Sequence, residues 1–244
     1  MIYVGIDDTD TYDAPGTNQF ARALAAELSD HYRCMLIVRH QLLQDPRVPC
    51  TKHNSAASML LLPHDGARDS AITDQIIASL IGAVRRFVQR RFVQGSDPGF
   101  CVTAGVPQAV TAFGRSCQRE LVTQQQARRL AGRYGVHLEG CGGTNDGVIG
   151  ALAAVGLVAE GDDGRVVQIG DWPDSLAGPQ DVETLHRRGV EVRCLQRDRA
   201  VPGGRVDVGK HLRPNYRAKR IVLFARPEDP ERCASGRWRA VRLT

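Results

Sequence analysis

The segment that most constrains this chain is Gly5-Ile6-Asp7-Asp8-Thr9-Asp10, which follows the apolar run Ile2-Tyr3-Val4 directly. Apolar and β-favouring residues ahead of clustered carboxylates predict a buried strand whose C-terminal end opens on a charged site. Open α/β sheets keep their ligands at such ends. If the extended conformation persists to Asp10, the two-residue period puts Asp8 and Asp10 on one face and Asp7 on the other. Three acids in four residues repel one another unless a cation or donors compensate. Mg²⁺ is commonly held by one or two carboxylates together with substrate phosphates and water, so Asp8 and Asp10 form a candidate metal pair. Asp and Thr also favour turns and caps, and a solvated turn is the alternative reading of the same residues.

A haloacid-dehalogenase-type phosphatase also begins with an apolar strand and Asp-x-Asp, but requires Thr or Val two residues after the second Asp. Tyr12 stands there in this chain, and that class is set aside.

The remaining landmarks alternate strands and helices. After the loop Asp13-Ala14-Pro15-Gly16, Thr17 or Asn18 is expected to cap a helix carrying Phe20, Leu24 and Leu28. Its free N–H groups would lie beside the acids, as a phosphate site or as an ordinary surface helix start. Met35 to Val38 reads as a strand ending in Arg39 and His40, the latter expected to be structural. Val48 to Ala57 gathers Thr51, Lys52, His53, Asn54 and Ser55 ahead of the apolar run Met59 to Leu62. A cation, an imidazole, an amide and hydroxyls on a rigid support suit a phosphate or a base.

Asp69 or Ser70 should start a helix striped with Ile72, Ile76, Leu80, Val84 and Phe87. Arg85, Arg86, Arg90 and Arg91 gather towards its C-terminal end and are read as structural. The turn Gly95-Ser96-Asp97-Pro98-Gly99 leads into Phe100-Cys101-Val102, and places Asp97 where it could join the acids. Helical patterns follow from Pro107, with Thr123 capping a helix that runs to Arg133. The shift in composition puts a domain boundary near residues 115/116.

A second informative stretch, Gly140 to Gly156, feeds a glycine-rich loop into a helix of small and apolar residues. Gly150 and Gly156 would weaken that helix unless another backbone packs tightly against it. Its spacing matches neither a Walker loop nor a dinucleotide fingerprint. Gly143, Thr144, Asn145, Asp146 and Gly147 at the helix start are candidate substrate-binding residues. Strands at Arg165 to Ile169, Val190 to Leu195, Arg220 to Phe224 and Trp238 to Leu243, and a helix at Asp181 to Arg188, suit a small α+β layer.

Charge is distributed unevenly. From Arg187 onward 16 Lys/Arg stand against 6 Asp/Glu, whereas the preceding residues carry 16 against 21. The basic final quarter, including the loop His211 to Arg217 with Tyr216, is a candidate nucleic-acid or polyphosphate surface. Seven scattered cysteines, none spaced Cys-x-x-Cys, argue against a disulfide framework and a zinc ribbon. No apolar run has the length of a membrane span, and no basic-then-apolar segment opens the chain, so a soluble cytoplasmic protein is expected.

Gly5 to Asp10 together with Gly147 to Gly156 resemble the archaeal tRNA(Ile2) agmatinylcytidine synthetase family, and Pro49 to Ala57 and Asp97-Pro98-Gly99 look like altered versions of two further family segments. The resemblance implies an ATP/Mg-binding, kinase-like α/β domain over residues 1–115, followed by a ferredoxin-like domain over 116–244. In that family ATP activates a cytidine carbonyl of the anticodon and agmatine displaces the activated oxygen. Carried over, Asp7, Asp8 and Asp10 would hold Mg²⁺ and the phosphates. Thr9, Thr17, Lys52, His53, Asn54 and Ser55 would approach the nucleotide. Asp97 and Gly143 to Gly147 would line the substrate pocket. The family's oligonucleotide-binding fold and zinc ribbon have no counterpart here, so a shortened, bacterial-type homologue is expected. Its acceptor would be a small molecule or an RNA nucleoside. The alternative is a non-enzymatic nucleic-acid-binding protein using the basic final quarter.

Overall fold

The computed structural model describes residues 1–51, 53–64, 74–172, 176–228 and 236–243. Lys52, Cys233 and the expected helix start at Asp69 or Ser70 lie outside the described residues. The chain forms two compact units, Met1–Glu160 and Gly161–Thr244.

In the first unit the apolar opening segment becomes β1 (Ile2–Asp7), with Ile2, Val4 and Ile6 fully buried. Burial on both faces explains why its sequence is continuously apolar rather than alternating. β1 is central because it pairs antiparallel with β3 (Ser55–Pro63) on one side and β4 (Gly99–Thr103) on the other. β2 (Tyr32–Gln41) extends the sheet beyond β3, and β5 (His137–Gly140) extends it beyond β4. The spatial order is β5-β4-β1-β3-β2, and every pairing is antiparallel. With α1 (Thr17–Glu27) and α2 (Asp74–Arg90), the succession β-α-β-β-α-β in the order β4-β1-β3-β2 is a split βαβ layout. Sequence reasoning placed a ferredoxin-like layout of this kind after residue 115, whereas these elements span residues 2–103.

α1 presents the apolar stripe expected of it, and α2 does so with Leu80, Val84 and Phe87, Ile76 being half-buried and Ile72 lying outside the described residues. Phe20 and Phe87 meet edge to face, with ring centroids 5.1 Å apart, a geometry that adds about 0.5–1.5 kcal/mol beyond burial. The arginines of α2 do structural work, as expected. Arg85 makes a two-pronged pair with Glu139 of β5 (both N···O 2.7 Å), Arg90 pairs with Glu27, and Arg91 lies over Phe87.

α5 (Gly147–Glu160) is buried from Gly147 to Val158 except at Ile149, and packs against β1, β4 and α3 (Gln108–Arg119). Its glycines and those facing it set the spacing. A Cβ on Gly5 would lie 2.0 Å from the Ala151 carbonyl oxygen, and one on Gly156 would lie 2.2 Å from that of Val110. The close backbone approach inferred from the sequence is therefore present. Because α5 packs on the first strand, the compact units divide after Glu160, not near residue 115. The compositional shift there marks α3 and α4 (Gln124–Tyr134), which pack with α5. Thr123 forms a complete capping box with Gln126 at the start of α4, as expected.

The second unit is built of short strands with one helix. β6 (Arg165–Ile169), β7 (Pro179–Asp181), α6 (Val182–Arg187), β8 (Val190–Cys194), β9 (Arg199–Ala200), β10 (Arg205–Asp207), β11 (Asn215–Arg217), β12 (Arg220–Pro227) and β13 (Arg237–Ala240) follow one another. β12 organises them, pairing with β8 along one edge and with β11 and then β13 along the other. Val182, Leu185, Val190, Val206 and Leu223 form the core. Tyr216 is buried in β11, so the loop that sequence reasoning offered to a polyanion does not present its aromatic ring. Across the described residues no helix is long and apolar enough to cross a membrane.

Candidate active site

The strand stops at Asp7, and Asp8 turns into the left-handed region at φ 53°. Asp tolerates this conformation better than most residues. The expectation that extended geometry persists to Asp10, with Asp8 and Asp10 sharing a strand face, is thereby corrected. The turn is pinned by the Asp97 N–H, which donates to the Asp8 carbonyl at 3.0 Å. Asp10 is oriented by hydroxyls, accepting from Thr17 Oγ1 at 3.1 Å and from Thr51 Oγ1 at 3.2 Å. Thr9 is buried and donates in turn to Thr17 (3.3 Å), so it positions the hydroxyl that reaches Asp10. Thr17 does not cap α1. Gly16 holds that position and has no side chain to cap with, and the Thr17 hydroxyl donates to Asp10 instead.

On the other side stands the first turn of α5. A Cβ on Gly150 would lie 1.9 Å from Asp7 Oδ2, so the missing side chain is the space that the Asp7 carboxyl occupies. The approach to α5 is organised by Asp97. Its carboxylate accepts from the backbone N–H of Thr144 (3.0 Å), Asn145 (2.5 Å) and Asp146 (3.2 Å), and from the Thr144 hydroxyl. From the loop ahead of β4, Asp97 thus caps a turn distant in sequence, satisfying donors that otherwise stay orphaned. Asn145 takes a left-handed conformation (φ 66°), and Gly143 does too (φ 60°), with Asp97 filling the place of its Cβ. Gln124 Nε2 ties α4 to the same turn through the Thr144 carbonyl (2.7 Å) and Asp146 Oδ1 (2.6 Å).

The electrostatics follow from this crowding. Burial, then the Asp8 and Asp10 charges, push the Asp7 carboxyl up to about 8. Burial, then Asp97, Asp10 and Asp146, push Asp8 up to about 6. Near neutral pH Asp7 therefore keeps its proton, while Asp8 is largely ionised.

These groups line a cleft of ≈ 800 Å³ within the first unit. The acids Asp7, Asp8, Asp10, Asp97 and Asp146 line it together with the apolar Leu42, Leu43, Val48, Pro49, Leu121, Val122 and Ile149. Thr144 and Gly147 are also at its surface, whereas Asn145 and Gly143 are not among the lining residues. Of the polar loop, His53, Asn54 and Ser55 reach the cleft. Asn54 Nδ2 donates to the Leu43 carbonyl (2.8 Å), and Ser55 Oγ accepts from Arg39 Nε (3.1 Å), so both are partly committed to holding the loop. His40 is fully buried against Ser58 at 2.8 Å, the structural role expected of it. Sequence reasoning missed Leu42, Leu43, Arg47 and the wall from Cys117 to Gln125. The amphipathic patterns of α3 and α4 mark packing faces and carry no sign of the cleft.

Among the described residues no three His, Cys, Asp or Glu side chains form a ready-made metal cage. The donor set instead fits a cation held by one or two carboxylates with phosphate oxygens and water, Asp8 being raised by burial first and by the neighbouring carboxylates second. A lining that combines carboxylates with apolar side chains suits a nucleotide and its counter-ion, and Arg47, paired with Asp45 (2.7 Å), lines the cleft as well.

No family model and no curated protein matches the chain. Solved structures do. A tRNA fluorescent labeling enzyme matches at 22% identity and a TM-score of 0.54, over 64% of this chain and 35% of that one. Apo TiaS, a tRNAIle2 agmatidine synthetase, matches at 21% identity and 0.51, with the same coverage. TiaS in complex with tRNA(Ile2), AMPCPP and agmatine matches at 21% identity and 0.52, over 63% and 35%. At these identities the likeness is one of fold. The match spans about a third of the length of those proteins.

Proposed function

We propose that the cleft of residues 1–160 binds ATP with Mg²⁺ and transfers a phosphoryl group to an oxygen of a small molecule or an RNA nucleoside. An amine then attacks the carbon bearing that oxygen, the C–O bond breaks and phosphate leaves. The observation that carries the reading is the set of crowded carboxylates at the end of β1, two of them raised in pKa, in a cleft that apolar side chains also line. The fold likeness to a tRNA-modifying enzyme solved with an ATP analogue and an amine supports the same reading.

In this proposal Asp8 and Asp10 hold Mg²⁺, which when bound neutralises phosphate charge. Thr17 and Thr51 fix the Asp10 carboxylate through the hydroxyl contacts described above. Asp7, wedged against Gly150, holds a proton near neutral pH and can exchange it with a group at the acceptor. His53, Asn54 and Ser55 approach the nucleotide, with Lys52 assigned there from sequence alone. Thr144, Asp146 and Gly147 face the acceptor, while Asp97, Gly143 and Asn145 shape the turn that presents them. The apolar wall excludes water from an activated oxygen that hydrolysis would otherwise consume.

The test is phosphate release from γ-labelled ATP with Mg²⁺, across a panel of amines, nucleosides and oligoribonucleotides. Acceptor-dependent release that Asp8→Asn abolishes is the expected result. Absence of ATP turnover and of ATP binding in the wild type would refute the proposal.

A further inference from the structure

The outer face of α4 carries a positive charge that its surroundings do not offset. Ala127 and Ala131 turn inward, while Gln125, Arg128, Arg129, Gly132 and Arg133 stand exposed at the three- and four-residue spacing of one helical face. From Gln108 to Gly135 the chain holds five arginines and a single carboxylate, Glu120. Of the five, Arg115 is taken by Glu160. The other acids beside α4 are committed elsewhere, Glu139 of β5 to Arg85 and Asp146 to Gln124. Among the described residues Arg128, Arg129 and Arg133 have no carboxylate partner.

Three details set this face apart from an ordinary surface helix. Arg129 and Arg133 are like charges four residues apart, a spacing that weakens a helix. The macrodipole accounts for a cation in the last turn, as at Arg133, but not for Arg128 and Arg129 before it. Gly132 is among the poorest helix formers, yet a Cβ there would meet nothing within 4 Å, so packing does not demand it. It leaves a gap between the arginines through which another chain can approach the helix backbone. Arg133 lies over the Tyr134 ring at 5.5 Å, which steadies the guanidinium at the surface. The face also begins at the cleft, because Gln124 and Gln125 in the first turn of α4 line it.

We infer that the outer face of α4 docks the phosphate backbone of an RNA strand, one of whose nucleosides reaches the cleft past Gln124 and Gln125. Guanidinium forks match phosphate oxygens, and a gap that admits a backbone suits a polymer rather than a free anion. A helix that lies on a membrane needs an apolar face to insert, and the inward face of α4 is spent on α5 and α3. That the strand serves the cleft rests on the nucleotide reading above, whereas the docking does not.

The experiment is fluorescence anisotropy of the full chain with a labelled single-stranded oligoribonucleotide, titrated at salt concentrations from about 50 to 200 mM. Three phosphate contacts predict a slope of log K against log salt of about −2.1, at about −0.7 per contact. Arg128→Ala with Arg129→Ala should bring the slope to about −0.7, and the corresponding double Lys variant should keep the wild-type slope. Gly132→Leu should raise the melting temperature, since Leu favours a helix and the space is open. The same variant should weaken binding roughly tenfold, the equivalent of one lost phosphate contact. Arg205→Ala with Arg239→Ala removes the same charge from the second unit, where Asp181 and Asp207 stand opposite these arginines in the strand register. It should leave slope and affinity as in the wild type. Equal loss in that variant overturns the inference, as does an unchanged slope in the double Ala variant of α4. So does equal binding of an oligoglutamate of the same charge, tighter binding of phosphatidylserine vesicles, or no binding of the oligoribonucleotide. ATP with Mg²⁺ is titrated into the same proteins and should bind the double Ala variant of α4 as it binds the wild type. RNA docking on α4 without ATP binding would sink the cleft reading alone, and ATP binding with RNA indifferent to α4 would sink the docking alone.

Discussion

Gly150→Ala tests the contact between the central helix and the acid cluster most sharply. The added Cβ would fall 1.9 Å from Asp7 Oδ2, 2.5 Å from its Cγ and 3.0 Å from its Cβ, so the whole carboxyl must move. Movement away from α5 drives it towards Asp8 and Asp10, which already raise its pKa. Overpacking of this kind costs about 1–3 kcal/mol, while Ala in place of Gly inside a helix returns about 1 kcal/mol. The expected net loss is up to about 2 kcal/mol, or up to some 4–8 °C in melting temperature for a unit of this size. Gly82→Ala is the matched control. It lies in α2, where the nearest atom to a new Cβ is the flexible end of Arg86 at 3.4 Å, so the propensity gain should survive and the melting temperature should rise. Differential scanning calorimetry of the two variants decides the matter. A Gly150→Ala protein as stable as Gly82→Ala would mean that Asp7 does not lie against α5.

Further outcomes follow from the same geometry. Asp7 and Asp8 are raised above their unfolded values, so the stability they allow is complete below about pH 4 and is lost as pH rises through about 6 and then about 8. Without divalent ions, urea midpoints should fall across that window. Asp7→Asn should flatten the fall, and a flat wild-type profile would contradict the burial of these acids. Asp97→Ala removes a charged acceptor from three backbone N–H groups and should cost about 2–3 kcal/mol. Hydrogen exchange should then quicken at residues 144–146, and unchanged protection there would remove the capping role. Arg85→Ala breaks a partly exposed ion pair and should cost no more than about 1 kcal/mol by chemical denaturation.

Much of this was legible in the sequence because periodicity and capping chemistry are local. The apolar run into β1, the stripes of α1 and α2, the Thr123 cap and the glycines of α5 all stand where their patterns put them. Four features were hidden for physical reasons. The left-handed turn at Asp8 leaves no mark, since only Gly signals positive φ strongly. β5 is four half-buried residues held by pairing with β4 and by the Arg85–Glu139 bridge, with no alternation of its own to read. The role of Asp97 as a cap for residues 144–146 joins segments far apart in sequence, so it read as a further site acid. The composition change near residue 115 read as a boundary because polar helices follow it. In the fold those helices cover α5, whose apolar face reaches back to the first strand.

The central claim is that the acids behind β1 tolerate one another because a divalent ion and a nucleotide belong among them. Isothermal titration of ATP into the wild type with and without Mg²⁺, repeated on Asp8→Asn and Asp10→Asn, tests it most directly. The account predicts binding that needs Mg²⁺ and is lost in both variants. ATP binding of equal strength without Mg²⁺ or in the two variants, or no binding at all, would contradict it.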